Sequence, residues 1–330
     1  MLPPKLNLFW KIIAAIIIIS ATGMVLFRSH YLLGTMLIVS RWFLFLTSAI
    51  FLYTSRNRIA ARWIRPGLVA VMIVVLVEYR WNTIQEERLL DHTASVTVSL
   101  MTYNIFFKNS SKALSLKVIK EKDPDILFVQ ELTPEWASQI KRSLGQRYLY
   151  TRETVLRGTH GIGVYAKFPI VKSELLGNAT RPFAQIVTLN VHGKELQVVH
   201  THLASPAIAV EKPARFFSLL SENYTARLEQ LKQINDRVLT TEMTCYAQLL
   251  IGDLNTTYFE PIYRDLKRDW VDLSGVPLTP TRANFPNTSK LGPIITLDYI
   301  FGRGRVSTIN INVVQGGSSD HLAIFGKIRL

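Results

Sequence analysis

The chain has 330 residues, 48% of them apolar, with 38 Lys and Arg against 24 Asp and Glu, a formal net charge of +14. Its single cysteine, Cys245, excludes an internal disulfide and a cysteine-rich zinc site. Cations outnumber anions both before and after residue 92, a balance that favours polyanions such as nucleic acid, anionic headgroups or phosphorylated small molecules without choosing among them.

The first ninety or so residues are dominated by apolar runs. Phe9–Phe27 is apolar apart from Lys11 near its start, and Tyr31–Tyr53 follows as a second long run; a helix needs about 20 such residues to cross a bilayer. The second run argues against reading the first as a cleaved leader. A third run, Gly67–Tyr79, reaches spanning length if Trp63–Pro66 and Arg80–Trp81 sit at the interfaces. These runs predict an N-terminal transmembrane helical region over residues 1–81, with spans near 9–27, 31–53 and 63–81. Lys5, Lys11, Arg56, Arg58, Arg62 and Arg65 place the N-terminus and the second connection in the cytoplasm by the positive-inside rule. Three spans then make a multi-pass protein of the cell membrane whose downstream domain is extracytoplasmic.

Residues 82–95 read as a polar connector. Beyond it, short runs rich in β-branched and aromatic residues predict strands at Val96–Tyr103, Ile126–Gln130, Gly161–Ala166, Ile186–Val191, Leu196–His202, Leu249–Ile251 and Thr296–Phe301. Ala113–Glu121 and Phe216–Thr240 carry helical patterns, and Asn190-Val191-His192-Gly193 is a hairpin signal. Helices alternating with strands that also pair through tight turns predict an α/β sandwich with mixed sheets over residues 96–330.

Polar residues suited to catalysis fall repeatedly at the ends of these apolar runs. Asn104 follows the first, Glu131 the second, His202 ends the fifth, and Asp253 and Asn255 follow the sixth. Asp298 lies within the seventh, and Asp320-His321 follows Gly316-Gly317-Ser318-Ser319. Each alone is an ordinary turn or cap residue. Together, carboxylates, amides and imidazoles are the set that holds a hard cation, positions water and stabilises a transferring phosphoryl group.

The segments MTYNI, PDILFVQEL, HGIGVYAKFPI, VVHTHLASP, LLIGDLNTT, TLDYIF and SSDHLAIF resemble the ordered motifs of the endonuclease/exonuclease/phosphatase superfamily. The resemblance implies a four-layered αββα sandwich with the site at one rim. It implies Asn104, Glu131 and Asp320 as the residues of a Mg²⁺ site, with Mn²⁺ a substitute. Asp253 would orient or deprotonate water, Asn255 would share its face, His321 would be the acid/base imidazole held by Asp298, and His202 would donate to phosphoryl oxygens. His200, on the same strand face as His202, is its rival. Some nucleases of the superfamily add a glutamate paired with the first histidine; Glu153 and Glu174 lie in that interval, in no matching context.

An anchor joined to such a domain resembles bacterial membrane members of the superfamily, including the teicoplanin-resistance type. A tethered site meets lipid headgroups at high effective concentration, so the reading is a membrane-anchored hydrolase of lipid-linked phosphodiester, phosphomonoester or pyrophosphate bonds, its partner the bilayer itself. A tethered DNA endonuclease or exonuclease and an inactive receptor for phosphorylated ligands are the alternatives. No substrate-binding residue stands out, although Lys212, Arg215, Arg282 and Lys290 lie in loops able to wall the site, and no obligate protein partner is implied.

Overall fold

The computed structural model describes residues 65–84, 96–239, 245–258, 260–274, 282–288 and 292–330, together with 45–54 and a few isolated positions. The chain divides into two compact units, one of Met1–Gln85 with Phe259–Asp265, the other of Glu86–Tyr258 with Leu266–Leu330.

In the first unit, residues 45–54 are helical and a second helix, α1, runs over Arg65–Ile84, with Pro66 in its first turn, where no backbone donor is needed. Although α1 is 20 residues long, its uninterrupted apolar stretch covers only 67–77 before Glu78 and Arg80. At 1.5 Å per residue that stretch rises roughly 16 Å, about half of a ~30 Å hydrocarbon core. Among the described residues no helix is long and apolar enough to cross a membrane. This corrects the expected third span, and with it the expected multi-pass placement in the cell membrane and extracytoplasmic catalytic domain. The runs near 9–27 and 31–53 lie largely outside the described residues.

The second unit is built on two sheets. Its strands in chain order are β1 (Thr97–Asn104), β2 (Ile126–Gln130), β3 (Tyr150–Thr154), β4 (Ile162–Ala166), β5 (Ile170–Asn178) and β6 (Arg181–Val191). They continue as β7 (Lys194–His202), β8 (Ala247–Asp253), β9 (Val271–Asp272), β10 (Asp298–Gly304), β11 (Ser307–Val314) and β12 (Ala323–Arg329). Among the described residues each sheet has six strands, ordered β11-β12-β1-β2-β4-β3 and β5-β6-β7-β8-β10-β9. The pairs β1–β2 and β7–β8 are parallel, while the other neighbours are antiparallel. Mixed sheets are thus present, as expected. The hairpin at 190–193 also forms: His192 and Gly193 take φ of 52° and 85°, and the Asn190 side chain accepts from Gly193 N at 2.8 Å.

Alternation along the strands sorts residues between two cores. Val98, Leu100, Ile126, Phe128, Val198, Leu249, Ile251 and Ile300 point between the sheets and form the larger one. The intervening Met101, Tyr103, Leu127 and Val129 turn outward against α2 (Lys112–Lys122) and α3 (Pro134–Leu144). The sequence of α3 shows why it forms. Thr133 caps it by accepting from Trp136 N, Pro134 fits its first turn, and Trp136, Ile140 and Leu144 recur every four residues to make a fully buried stripe. After the short α4 (Ala207–Glu211), the 23-residue α5 (Phe216–Val238) runs along the second sheet. Gln248 of β8 donates to Val238 O at 3.3 Å, and Arg237 pairs with Glu174 of β5. Helices therefore cover both sheets.

Candidate active site

β1 runs parallel to β2 and β7 to β8, and the C-terminal ends of the two pairs meet across the sheets, where Asn104 Nδ2 reaches Asp253 Oδ2 at 3.1 Å and Gln130 Nε2 lies 2.7 Å from His200 Nε2; β10 begins there, with Asp298 opposite Asp253. The inward rows that are aliphatic in mid-sheet become polar at this rim: Thr102 and Asn104 on β1, Gln130 on β2, His200 and His202 on β7, Asp253 on β8, Asp298 on β10. The residues that the sequence scatters over more than two hundred positions thus meet at one edge of the core.

Asp253 is the hub. Fixed by the Asn255 backbone N–H, which donates to Oδ1 at 2.8 Å, its carboxylate turns Oδ2 toward Asn104 Nδ2 at 3.1 Å, His202 Nε2 at 3.6 Å and His321 Nε2 at 3.7 Å. The two imidazole distances exceed a direct hydrogen bond, so the nitrogens converge on a common point without closing on the carboxylate. Burial raises the pKa of Asp253 and the charge of Asp298 adds to it, against opposing contributions from His321 and His202.

The orientation of each imidazole is set through its other nitrogen. His321 Nδ1 lies 2.7 Å from Asp298 Oδ2, and the Asn284 side-chain amide donates to that same oxygen and to Leu322 O. Burial opposes charge on His321, yet the carboxylates of Asp298 and Asp253 outweigh it and hold its pKa up at about 10. His202 Nδ1 faces Thr159 O at 3.1 Å; a carbonyl only accepts, so the proton sits on Nδ1 and Nε2 is turned to the site. Neither glutamate of that interval fills that place: Glu174 pairs with Arg237, and Glu153 lies exposed on β3. The rival imidazole, His200, is fully buried under the rim, 2.7 Å from Gln130 Nε2 and packed on Phe128, and burial pushes its pKa down to about 3. It belongs to the floor beneath the site.

Glu131 accepts from Phe107 N at 2.8 Å and from Asn104 Nδ2 at 3.3 Å. Asn104 turns its oxygen to Phe106 N at 3.1 Å, so its nitrogen bridges Glu131 and Asp253. Asp320 is placed by Ser319, whose hydroxyl donates to Asn104 O at 2.6 Å and lies 3.3 Å from Asp320 Oδ1. Burial raises the pKa of Asp320; His321 lowers it, and the nearby charge of Glu131 raises it again. Two carboxylates that repel one another in an oxygen-rich, thiol-free setting fit a hard dication. A second group able to hold an ion is Asp253, Asp298 and His321, with ligand atoms within 4.8 Å. That set is the poorer fit for a hard cation, because one of its three ligands is an imidazole nitrogen, and its two carboxylates favour the protonated ring where a metal-binding imidazole must be unprotonated.

The rim rests on unusual backbone. Phe106, Glu131 and Asn255 have φ of 58°, 63° and 47°, a left-handed conformation that costs a non-glycine residue of order 1 kcal/mol and clusters at functional sites. Gly252 is required for another reason: a Cβ there would sit 2.0 Å from Thr201 O on the neighbouring strand.

Several contributors have no motif in the sequence. The Thr159 carbonyl acts through its backbone and Asn284 lies outside any regular element. Arg227 of α5 is 3% exposed and donates to Asn255 O. Its signal was present, since Arg227, Leu231, Ile234 and Val238 share the buried face of α5, putting a cation in phase with an apolar stripe. Among the expected wall cations, Arg282 is buried with Nη2 3.6 Å from Asp272 Oδ1, and Arg215 pairs with Glu222 at 3.0 Å.

Comparison with known proteins identifies the family and the fold. A model of the Endonuclease/Exonuclease/phosphatase family matches residues 101–321. No curated protein matches the chain. Among solved structures, that of D. rerio TDP2 complexed with single strand DNA product is similar over 72% of this chain and 100% of that one, with 17% identity and a TM-score of 0.56. The endonuclease/exonuclease/phosphatase from Beutenbergia cavernae is similar over 72% of both chains (19% identity, TM-score 0.51). Beta toxin from Staphylococcus aureus is similar over 69% of this chain and 98% of its own (17% identity, TM-score 0.53). At these identities the likeness is one of fold.

Proposed function

Since the chain belongs to the Endonuclease/Exonuclease/phosphatase family, we propose that it is a Mg²⁺-dependent phosphoesterase whose catalysis is carried by residues 96–330. The observation that carries the reading is the convergence of His202 Nε2 and His321 Nε2 on Asp253 Oδ2, which leaves a space lined by two imidazoles and a basic carboxylate.

Glu131 and Asp320 would hold the ion, oriented by Asn104 and Ser319. When bound, it supplies charge to neutralise the phosphoryl oxygens. Asp253, its basicity raised by burial, takes the proton of the attacking water, and the backbone N–H of Asn255 keeps its rotamer fixed for that task. His321 enters protonated and gives its Nε2 proton to the leaving oxygen, while Asp298 stabilises the charge on the ring and fixes its tautomer. His202 turns Nε2 toward the non-bridging oxygens and, when protonated there, donates to them.

The substrate is a phosphodiester in this reading. Preference for a lipid-linked ester rested on the anchor and has lost that ground; DNA offers the same group to the same site. The test is hydrolysis of bis(p-nitrophenyl) phosphate with Mg²⁺, with Mn²⁺ and in excess chelator, followed by a panel of phospholipid, polyprenyl pyrophosphate and DNA. Turnover should need the divalent ion and fall about 10²–10⁴-fold in His321→Ala. Full activity in chelator refutes the metal site, and undiminished turnover in His321→Ala refutes the assignment of the acid.

A further inference from the structure

We propose that Arg227 is a positioning residue, a buried cation on α5 that clamps Asn255 and thereby aims the Asp253 carboxylate at the reacting atoms. The kinetic part of this proposal rests on the phosphoesterase reading; the clamp rests on geometry alone.

Asn255 is held by its backbone on both sides. Its N–H donates to Asp253 Oδ1 at 2.8 Å, and its carbonyl accepts from Arg227 Nη1. Its side-chain amide donates to Leu203 O at 3.0 Å, just past His202. With φ at 47°, the residue stays in a conformation it would otherwise leave only if its neighbours over-determine it. Arg227 supplies that constraint from outside the loop. If the carbonyl of Asn255 turns away, the backbone relaxes, its N–H swings off Oδ1, and Oδ2 loses its fixed direction toward Asn104, His202 and His321.

A second contact from the same helix shows that α5 supports both catalytic loops. Gln230, three residues on from Arg227, accepts from Ala204 N at 2.9 Å, two positions beyond His202. One helix face thus meets the loop after β7 and the loop after β8. Arg227 is 3% exposed, and a buried cation is costly unless hydrogen-bonded, so its place on an otherwise apolar stripe calls for a role that an aliphatic residue could not fill.

Two readouts test the proposal in the full-length protein. The first is amide hydrogen exchange without metal or substrate. Arg227→Met should speed exchange at the Asn255 N–H about tenfold or more while Leu250 and Ile251 of β8 keep their protection. The second is hydrolysis of bis(p-nitrophenyl) phosphate at saturating Mg²⁺. There kcat should fall about 10–100-fold with KM within about twofold, the scale expected when a reacting group is misplaced by an ångström. Arg227→Lys, which keeps a buried donor, should lie between wild type and Arg227→Met in both and serves if the methionine variant fails to fold. Unchanged exchange at Asn255 overturns the clamp. General loss of β8 protection makes Arg227 scaffold alone, and lost protection at Asn255 with unchanged kcat overturns positioning. If the wild type fails to hydrolyse the ester with any divalent ion tested, the phosphoesterase reading falls, and exchange still decides the clamp.

Discussion

Replacing Asp298 by asparagine isolates the charge that controls His321. The substitution keeps an oxygen able to accept from His321 Nδ1, now 2.7 Å from Oδ2, but removes the first of the influences that raise the imidazole pKa. In the wild type that pKa stands at about 10 against an ordinary value of about 6.5. The sign follows from proton linkage. A folded-state pKa above the unfolded one gives stability that is complete below about pH 6.5 and is lost as pH rises toward 10. A gap of that size corresponds to roughly 5 kcal/mol at most, at about 1.4 kcal/mol per unit. Asp298→Asn should shrink the gap and move the loss to lower pH, since burial then opposes the charge with less to offset it. Urea denaturation of the metal-stripped protein from pH 6 to 10.5 measures this, and ¹⁵N ring signals of His321 report its protonation directly. A wild-type stability that is flat or rising between pH 7 and 10, or a His321 that titrates near 6.5 in the wild type, refutes the reasoning.

Glu131→Gln should raise the Mg²⁺ concentration needed for half-maximal activity, whereas His321→Ala should lower turnover even at saturating metal; equal losses fully rescued by metal would show those roles misassigned. Gly252→Ala should destabilise the fold by about 3 kcal/mol or more, the scale of backbone strain with overpacking, because its Cβ would meet Thr201 O at 2.0 Å; a melting temperature within a few degrees of wild type would contradict this. Mg²⁺ should raise the melting temperature in proportion to the logarithm of its concentration above the dissociation constant, an effect that Glu131→Ala should abolish and whose persistence in that variant would move the ion elsewhere.

The parts of this molecule legible in the sequence are those in which periodicity and chemistry coincide. Inward rows such as Leu196, Val198, His200, His202 show period two with a polar end, so both strand and rim can be read from them. Strands without an apolar signature escape. β3 is an edge strand of Tyr150–Thr154 with four of five residues exposed, as edges commonly are. The ten apolar residues among 67–77 mislead in the opposite direction, because their number does not reveal that Glu78 and Arg80 stop the apolar stretch within the same helix. Backbone contributors are invisible for a third reason. The Thr159 carbonyl that sets the His202 tautomer would be there with any residue, so no letter marks it. Choosing His202 over His200 needed only the depth of each along one row, yet both share a face, and depth is set by neighbouring strands.

The charges at the rim explain why the site combines such different residues. Glu131, Asp253, Asp298 and Asp320 bring four carboxyls to one edge of an apolar core, with three of them under 10% exposed. Burying like charges together is prohibitive unless each is compensated. The protonated His321 serves Asp253 and Asp298 at once, lying 2.7 Å from one and 3.7 Å from the other. The same charge also lowers the pKa of Asp320, which the nearby Glu131 raises, while Asn104 Nδ2 and Phe107 N bring Glu131 dipoles and no charge. Two of the four carboxyls thus face one imidazole directly, and the other two, in an oxygen-rich setting, would suit an external cation. In the proposed reading, a phosphoryl group bound across the rim would meet the imidazole of His321 on one side and the oxygens of Glu131 and Asp320 on the other.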